Sequence, residues 1–280
     1  MNLTSENVSL WERAAVTRRR ARAVLSGHSG GRSHRMLLVL SLVMILTVGV
    51  ALYMAVGCLS TAGYVLFGEA LWVDAAAAAL TVLLLLGLLL PLCGGAFRLA
   101  CLMTAFEDGS AAGLPMRIPE VTLSELFYPF TSFRAYGRVM AVSMESLGFT
   151  ALSVGLPILL FRLALLTLKP LTESTPALYA LVAVALFLFC FSLGALFFFL
   201  SGRRAGFGYF VFVYDTMPLG EVNRYFRGFR RSFAAVFCLR ISLAGWYALS
   251  VAGILIPLLL HAAPYGLCSA AAYARYLRRP

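Results

Sequence analysis

Five stretches of this chain carry no Asp, Glu, Lys or Arg: 36–68, 75–97, 146–161, 174–202 and 241–274. A charge at the bilayer centre costs roughly 2.5 to 3.5 kcal/mol on insertion scales. About 20 apolar residues cross the hydrocarbon core as a helix. Soluble domains carry about 25% charged residues, whereas these 280 residues carry 12%, with a mean hydropathy of +0.88. In lipid the backbone must pair its own polar groups, which leaves helices or a closed barrel. Barrel strands would alternate over about 10 residues, and these runs are longer and uniformly apolar. The expected fold is an all-α integral membrane bundle.

Six spans are expected, at about 37–57, 75–97, 141–161, 177–202, 233–250 and 252–272. They lie in a membrane domain of residues 36–277, between a basic N-terminal segment (1–35) and a basic tail (278–280). The 43 residues from Ser232 to Ala274 would reach about 65 Å as one helix, twice a bilayer core, so they are divided into two spans. Pro91, Pro257 and Pro264 predict kinks. Cys58–Asp74 is expected to be an external loop.

Net charge is +11, and its placement argues for membrane surface rather than nucleic acid. Twenty of the 23 basic residues fall in the N-terminal segment, the 98–140 and 203–231 loops and the stretch after the last span (Arg275, Arg278 and Arg279). The external loops hold Arg162 and Lys169. Positive charge collects on the cytoplasmic side, so both termini are expected there, in a cytoplasmic membrane, with anionic lipid headgroups as partners.

Three segments read as interfacial. Residues 13–25 form a short basic amphipathic helix on the membrane surface. Residues 123–138 form an aromatic-rich helix interrupted at Pro129, whose rings favour the headgroup layer. After a turn at Asp215–Pro218, Leu219, Val222, Phe226 and Phe229 recur at helical spacing. Arg224, Arg227 and Arg231 line another face, giving a basic helix suited to anionic lipid or a protein partner.

The C-terminal third carries Tyr214-Asp215, Pro218-Leu219, Phe226-Arg227-Gly228, Ser242, Gly245-Trp246, Gly253-Ile254, Pro264-Tyr265, Tyr273 and Tyr276-Leu277. Upstream are Ala21-Arg22-Ala23-Val24-Leu25-Ser26-Gly27 and Glu125-Leu126-Phe127 with Phe130. This pattern resembles the domain-of-unknown-function family 975 of uncharacterised bacterial multi-pass membrane proteins, and is tight over 207–277. Leu243 stands where that family has Phe, and Gly155-Leu156-Pro157 where it has Pro-Gly. The resemblance implies a topology and no chemistry.

Chemistry-bearing residues are sparse. Gly27-His28-Ser29-Gly30-Gly31 is a literal G-x-S-x-G, but a nucleophile elbow needs a strand before it and a helix after it, and this one sits in a polar stretch. Ala55-Val56-Gly57-Cys58 resembles a lipidation box in part, and further spans follow it. Asn2-Leu3-Thr4 and Asn7-Val8-Ser9 match the glycosylation pattern on the side expected to be cytoplasmic. The six cysteines form no C-x-x-C pair, and buried Cys acts as a small hydrophobe. His28, His34 and His261 are too scattered to form a metal cluster. No cofactor, metal or catalytic set is expected.

Three intramembrane residues are candidates. Arg240 lies within the fifth span and could pair with Glu145 near the start of the third. His261 sits between Pro257 and Pro264 on a broken helix, a setting transporters use. The leading expectation is a non-enzymatic accessory, scaffold or assembly factor, with a membrane protein or a second copy as partner. The alternative is a transporter or channel component acting through Arg240, Glu145 and His261. A lipid-modifying enzyme would need a residue constellation that the chain does not display.

Overall fold

The computed structural model describes residues 10–29, 31–68, 71–107, 120–168, 176–227, 238–239, 241–242 and 263–273. Among them, α1 spans Leu10–Ser26, followed by a hairpin of β1 (His28–Ser29) and β2 (Arg32–Ser33). Helix α2 spans His34–Phe67. Helices α3 (Leu71–Leu84) and α4 (Leu90–Glu107) are joined into one rod by a π-helical segment, Leu85–Leu89. A 3-10 helix covers Leu123–Phe130. Helices α5 (Phe133–Thr150) and α6 (Leu156–Leu168) form a second composite rod through the π segment Ala151–Gly155. Then come α7 (Pro176–Val213), α8 (Leu219–Arg227) and α9 (Ala263–Tyr273).

Four of these helical rods are long and apolar enough to cross a membrane: His34–Phe67, Trp72–Ala105, Phe133–Leu168 and Ala177–Leu196. No more than 17% of any of their apolar windows is buried. Apolar surface left this open needs lipid or a partner to cover it. Residues 233–237, 240 and 243–262, which hold most of the last two expected spans, lie outside the described residues.

The first rod is longer than expected. Nothing in residues 58–67 stops a helix, so α2 continues through the region read as a loop and ends at Gly68, which has φ 72°. Its 34 residues reach about 51 Å, against a core of about 30 Å. Tyr64 donates its hydroxyl to Asp74, and Phe67 packs edge-on against Trp72 at 4.8 Å, which ties the end of α2 to the start of α3.

The packed core sits at one pole, where α2 and α5 begin and α4 and α7 end. Leu38, Leu99, Met103, Val139 and Phe212 meet there. Helix α1 closes it. Ala14, Thr17, Ala21 and Val24, at helical spacing, are buried, and the helix packs against α9, α2 and α4. Arg22 lies over the Tyr265 ring, 5.9 Å from its centre. The basic N-terminal helix therefore rests on the protein body rather than lying free on a membrane surface. His34 fixes its exit. The His34 backbone N–H donates to Gly27 O at 3.0 Å. Its Nδ1 lies 3.0 Å from Val24 O, and since a carbonyl only accepts, Nδ1 carries the proton.

Three prolines inside helices share one consequence. Proline has no N–H, so it leaves an earlier carbonyl without its usual donor. Pro91 does this to Gly87, whose carbonyl accepts instead from the Tyr136 hydroxyl at 3.2 Å. Pro129 does it to Leu126 in the 3-10 helix, and Leu126 O lies against Gly95: a Cβ on that glycine would stand 2.2 Å away. Pro157 offers no N–H to Ser153, whose carbonyl abuts Gly194, where a Cβ would meet it at 2.7 Å. Close approach at Gly95 and Gly194 requires glycine.

An arginine-braced pole as the candidate functional site

Arg98 is the centre of the site. It sits midway along α4, with its side chain 4% exposed. Its Nε donates to Glu125 Oε2 at 2.8 Å, its Nη1 to Phe212 O at 3.1 Å and its Nη2 to Asp215 Oδ2 at 3.1 Å. The guanidinium carbon lies 3.6 Å from the centre of the Tyr128 ring. A planar fork with five donors is the one side chain that can serve three diverging acceptors and stack at once.

Two arginines of α5 complete the brace. Arg138, buried, donates from Nη1 to Val211 O at 3.0 Å and Tyr214 O at 3.2 Å. Arg134, one turn earlier and exposed, donates to Thr216 O at 2.7 Å. All three converge on the end of α7. A helix C-terminus leaves up to four carbonyls without intrahelical donors and carries partial negative charge. Guanidinium groups satisfy both demands where water is excluded. The 3-10 helix contributes Glu125 and Tyr128 because residues three apart eclipse at three residues per turn.

Glu125 and Tyr128 thus share the face toward Arg98. Burial pushes the Tyr128 phenol above its usual value of 10.0; Arg98 beside it pulls the other way without prevailing.

Beyond the brace the chain turns through Tyr214–Met217 into α8, with Glu221 and Val222 N–H donating to Pro218 O at 3.0 and 3.1 Å. The inner face of α8 is clamped onto α7. Phe226 packs against Phe207 and Phe210 at 5.9 and 5.8 Å, and Tyr225 against Tyr214 at 5.3 Å. Glu221, Arg224 and Arg227 are exposed on the opposite side. The apolar face of α8 is therefore spent on its own protein, not on a leaflet.

Of the residues singled out from sequence, Arg224 and Arg227 stand together on this outer face. Glu145 is half-buried on α5, about two turns from Arg138. Arg240, His261, Phe229 and Arg231 lie outside the described residues. Sequence reasoning missed Arg98, Arg138, Glu125 and Asp215 as a unit. One signal was present: Asp215 and Glu221 are the sole acids in residues 174–280, and Asp215 directly follows a long aromatic helix.

Among the described residues no group of three His, Cys, Asp or Glu could hold a metal ion. Nearer the other ends of the rods, an apolar cleft of about 1070 Å³ opens between α2 and α3, past Gly49, Tyr53, Thr61, Thr81 and Leu85, with no charged residue in its lining. Compared with known proteins, the chain matches no family model, no curated protein and no solved structure.

Proposed function

We propose that this chain is a non-enzymatic accessory or scaffold subunit of a membrane assembly, and that its braced pole presents α8 to a partner protein. The carrying observation is the convergence of Arg98, Arg134 and Arg138 on the turn that launches α8. Three fixed cations around one turn hold a short helix at a set angle. Their donors are directed at backbone and carboxylate acceptors, an arrangement suited to rigidity rather than turnover. The outer face of α8 then offers Glu221, Arg224 and Arg227 on a rigid mount. The excess of positive charge at this end favours a cytoplasmic orientation, and six spans with both termini inside remain the topology proposed.

The test is a mild-detergent pull-down of tagged protein from its native membranes, with mass spectrometry of what accompanies it. A stoichiometric partner that is lost with Arg224→Ala and Arg227→Ala supports the reading. Co-purification unchanged by both substitutions would sink it.

A second reading, a transporter component, is favoured by one observation. Two of the four rods are broken by π segments beside Pro91 and Pro157, and Glu145 sits less than two turns before the second break. Broken helices and intramembrane acids serve ion paths in transporters. Flux in proteoliposomes that disappears with Glu145→Gln would favour this reading over the scaffold.

A further inference from the structure

The 3-10 helix Leu123–Phe130 has three faces, and two are already assigned. Leu126 and Pro129 point inward: Leu126 packs with Leu92 and Ala96 and against Met44, Ile45, Val48 and Leu88. Glu125 and Tyr128 address Arg98. The third column, Ser124, Phe127 and Phe130, is exposed, the two Phe at 44% each. Phe133, the first residue of α5, lies close by in sequence at 92% exposure.

The depth of this row follows from its inner neighbours. Met44, Ile45 and Val48 belong to the first candidate span and Leu88 and Leu92 to the second. Arg98, six residues beyond Leu92 on the same rod, lies about 9 Å further toward the pole. The 3-10 helix therefore crosses the rods between their apolar lengths and the charged pole. That is the level at which a bilayer passes from acyl chain to headgroup, where aromatic rings collect. Arg134, exposed at the same rim, supplies the cation that a phosphate layer favours.

We propose that Phe127, Phe130 and Phe133 form a lipid anchor. Their rings sit at the acyl–headgroup boundary of the leaflet on the arginine side and set how far the pole stands out of the membrane. The occupant is phospholipid because the row continues the exposed apolar surface of the candidate spans. The anchor rests on these rods being spans and is independent of any protein partner.

The experiment uses the full chain, one copy per nanodisc, with Phe130→Trp and Phe133→Trp made separately. Fluorescence is read as the difference from the parent, which keeps Trp11, Trp72 and Trp246. Leu188→Trp, at a position 57% exposed near the middle of the fourth candidate span, is the control. Most of the added emission at 130 and 133 is expected to be lost in discs of phospholipid brominated near the ester end of the chain, and to be insensitive to iodide in the buffer. Quenching by iodide would place the rings in water and overturn the anchor. Quenching by neither would mean that protein covers them and would overturn it equally. The Leu188→Trp control separates this from failure of the span reading: its emission should respond to lipid brominated deep in the chain whatever the fate of the anchor.

Discussion

Arg98 and Asp215 are 117 residues apart in sequence, and their side chains meet at 3.1 Å at the end of a helix that neither belongs to. The same guanidinium takes the Phe212 carbonyl and Glu125, so one side chain ties α4, the 3-10 helix and the turn after α7 together. Removing one partner of a buried charge pair leaves the other uncompensated, at about 3–5 kcal/mol. Arg98→Met should lower the stability of the detergent-solubilised protein by that order, read as a fall in unfolding temperature. Arg98→Lys should not restore it, since a compact ammonium cannot span three diverging acceptors. Asp215→Asn should cost less, under about 1 kcal/mol, because Asp215 is 33% exposed and solvent screens it. Wild-type stability in Arg98→Lys would count against the three-way brace.

Two glycines should respond to alanine in opposite directions. At Gly95 a Cβ would stand 2.2 Å from Leu126 O. Backbone must move, and overpacking of this kind costs about 1–3 kcal/mol. At Gly137, on α5, nothing lies within 4 Å of the added carbon. Alanine there should be neutral or stabilise by about 0.5–1 kcal/mol, the helix penalty of glycine. Thermal unfolding of both variants in one detergent checks the pair, and equal shifts would contradict the close approach.

Tyr136→Phe isolates the carbonyl released by Pro91. The substitution keeps the ring and removes the donor to Gly87 O. A single hydrogen bond of this kind contributes about 0.5–1.5 kcal/mol net. The expected loss lies in that range, with the helices retained by circular dichroism. No change in unfolding temperature would mean that Gly87 finds another donor.

The Tyr128 phenol should ionise above its usual value of 10.0, burial being the largest cause. A folded value above the unfolded one means that the folded state holds the proton more tightly. The corresponding stabilisation is complete below about pH 10 and is lost as pH climbs through the folded value. Phenolate absorbance of the parent minus that of Tyr128→Phe isolates this group. Ionisation at or below the ordinary pH would show that Arg98 outweighs burial.

The candidate site was legible in fragments. Arg98 could be placed at the end of an apolar run, and Asp215-Thr216-Met217-Pro218 could be read as a turn before a helix. Charge-free length showed neither that these ends share a pole nor that Glu125 faces the same point. The 123–130 segment has an aromatic, half-polar composition that fits an interfacial α-helix. Its true period of three follows from packing Leu126 against Gly95 and from the N–H that Pro129 lacks.

By itself the sequence determined the parts that depend on local transfer energies. Four apolar rods, a basic α1 and an amphipathic α8 follow from where charge is tolerated and from residue periodicity, because each residue carries that cost wherever its neighbours lie. The tertiary structure decided the rest. Residues 58–67 became helix because no breaker precedes Gly68 and α3 packs back on them. Helices α1 and α8 buried their apolar faces on the protein because α9 and the aromatic end of α7 were there to receive them. Arg98, Arg134 and Arg138 became a brace because α4 and the start of α5 meet the end of α7, which has carbonyls to satisfy. That meeting depends on contacts 73 to 117 residues apart, which no local pattern encodes.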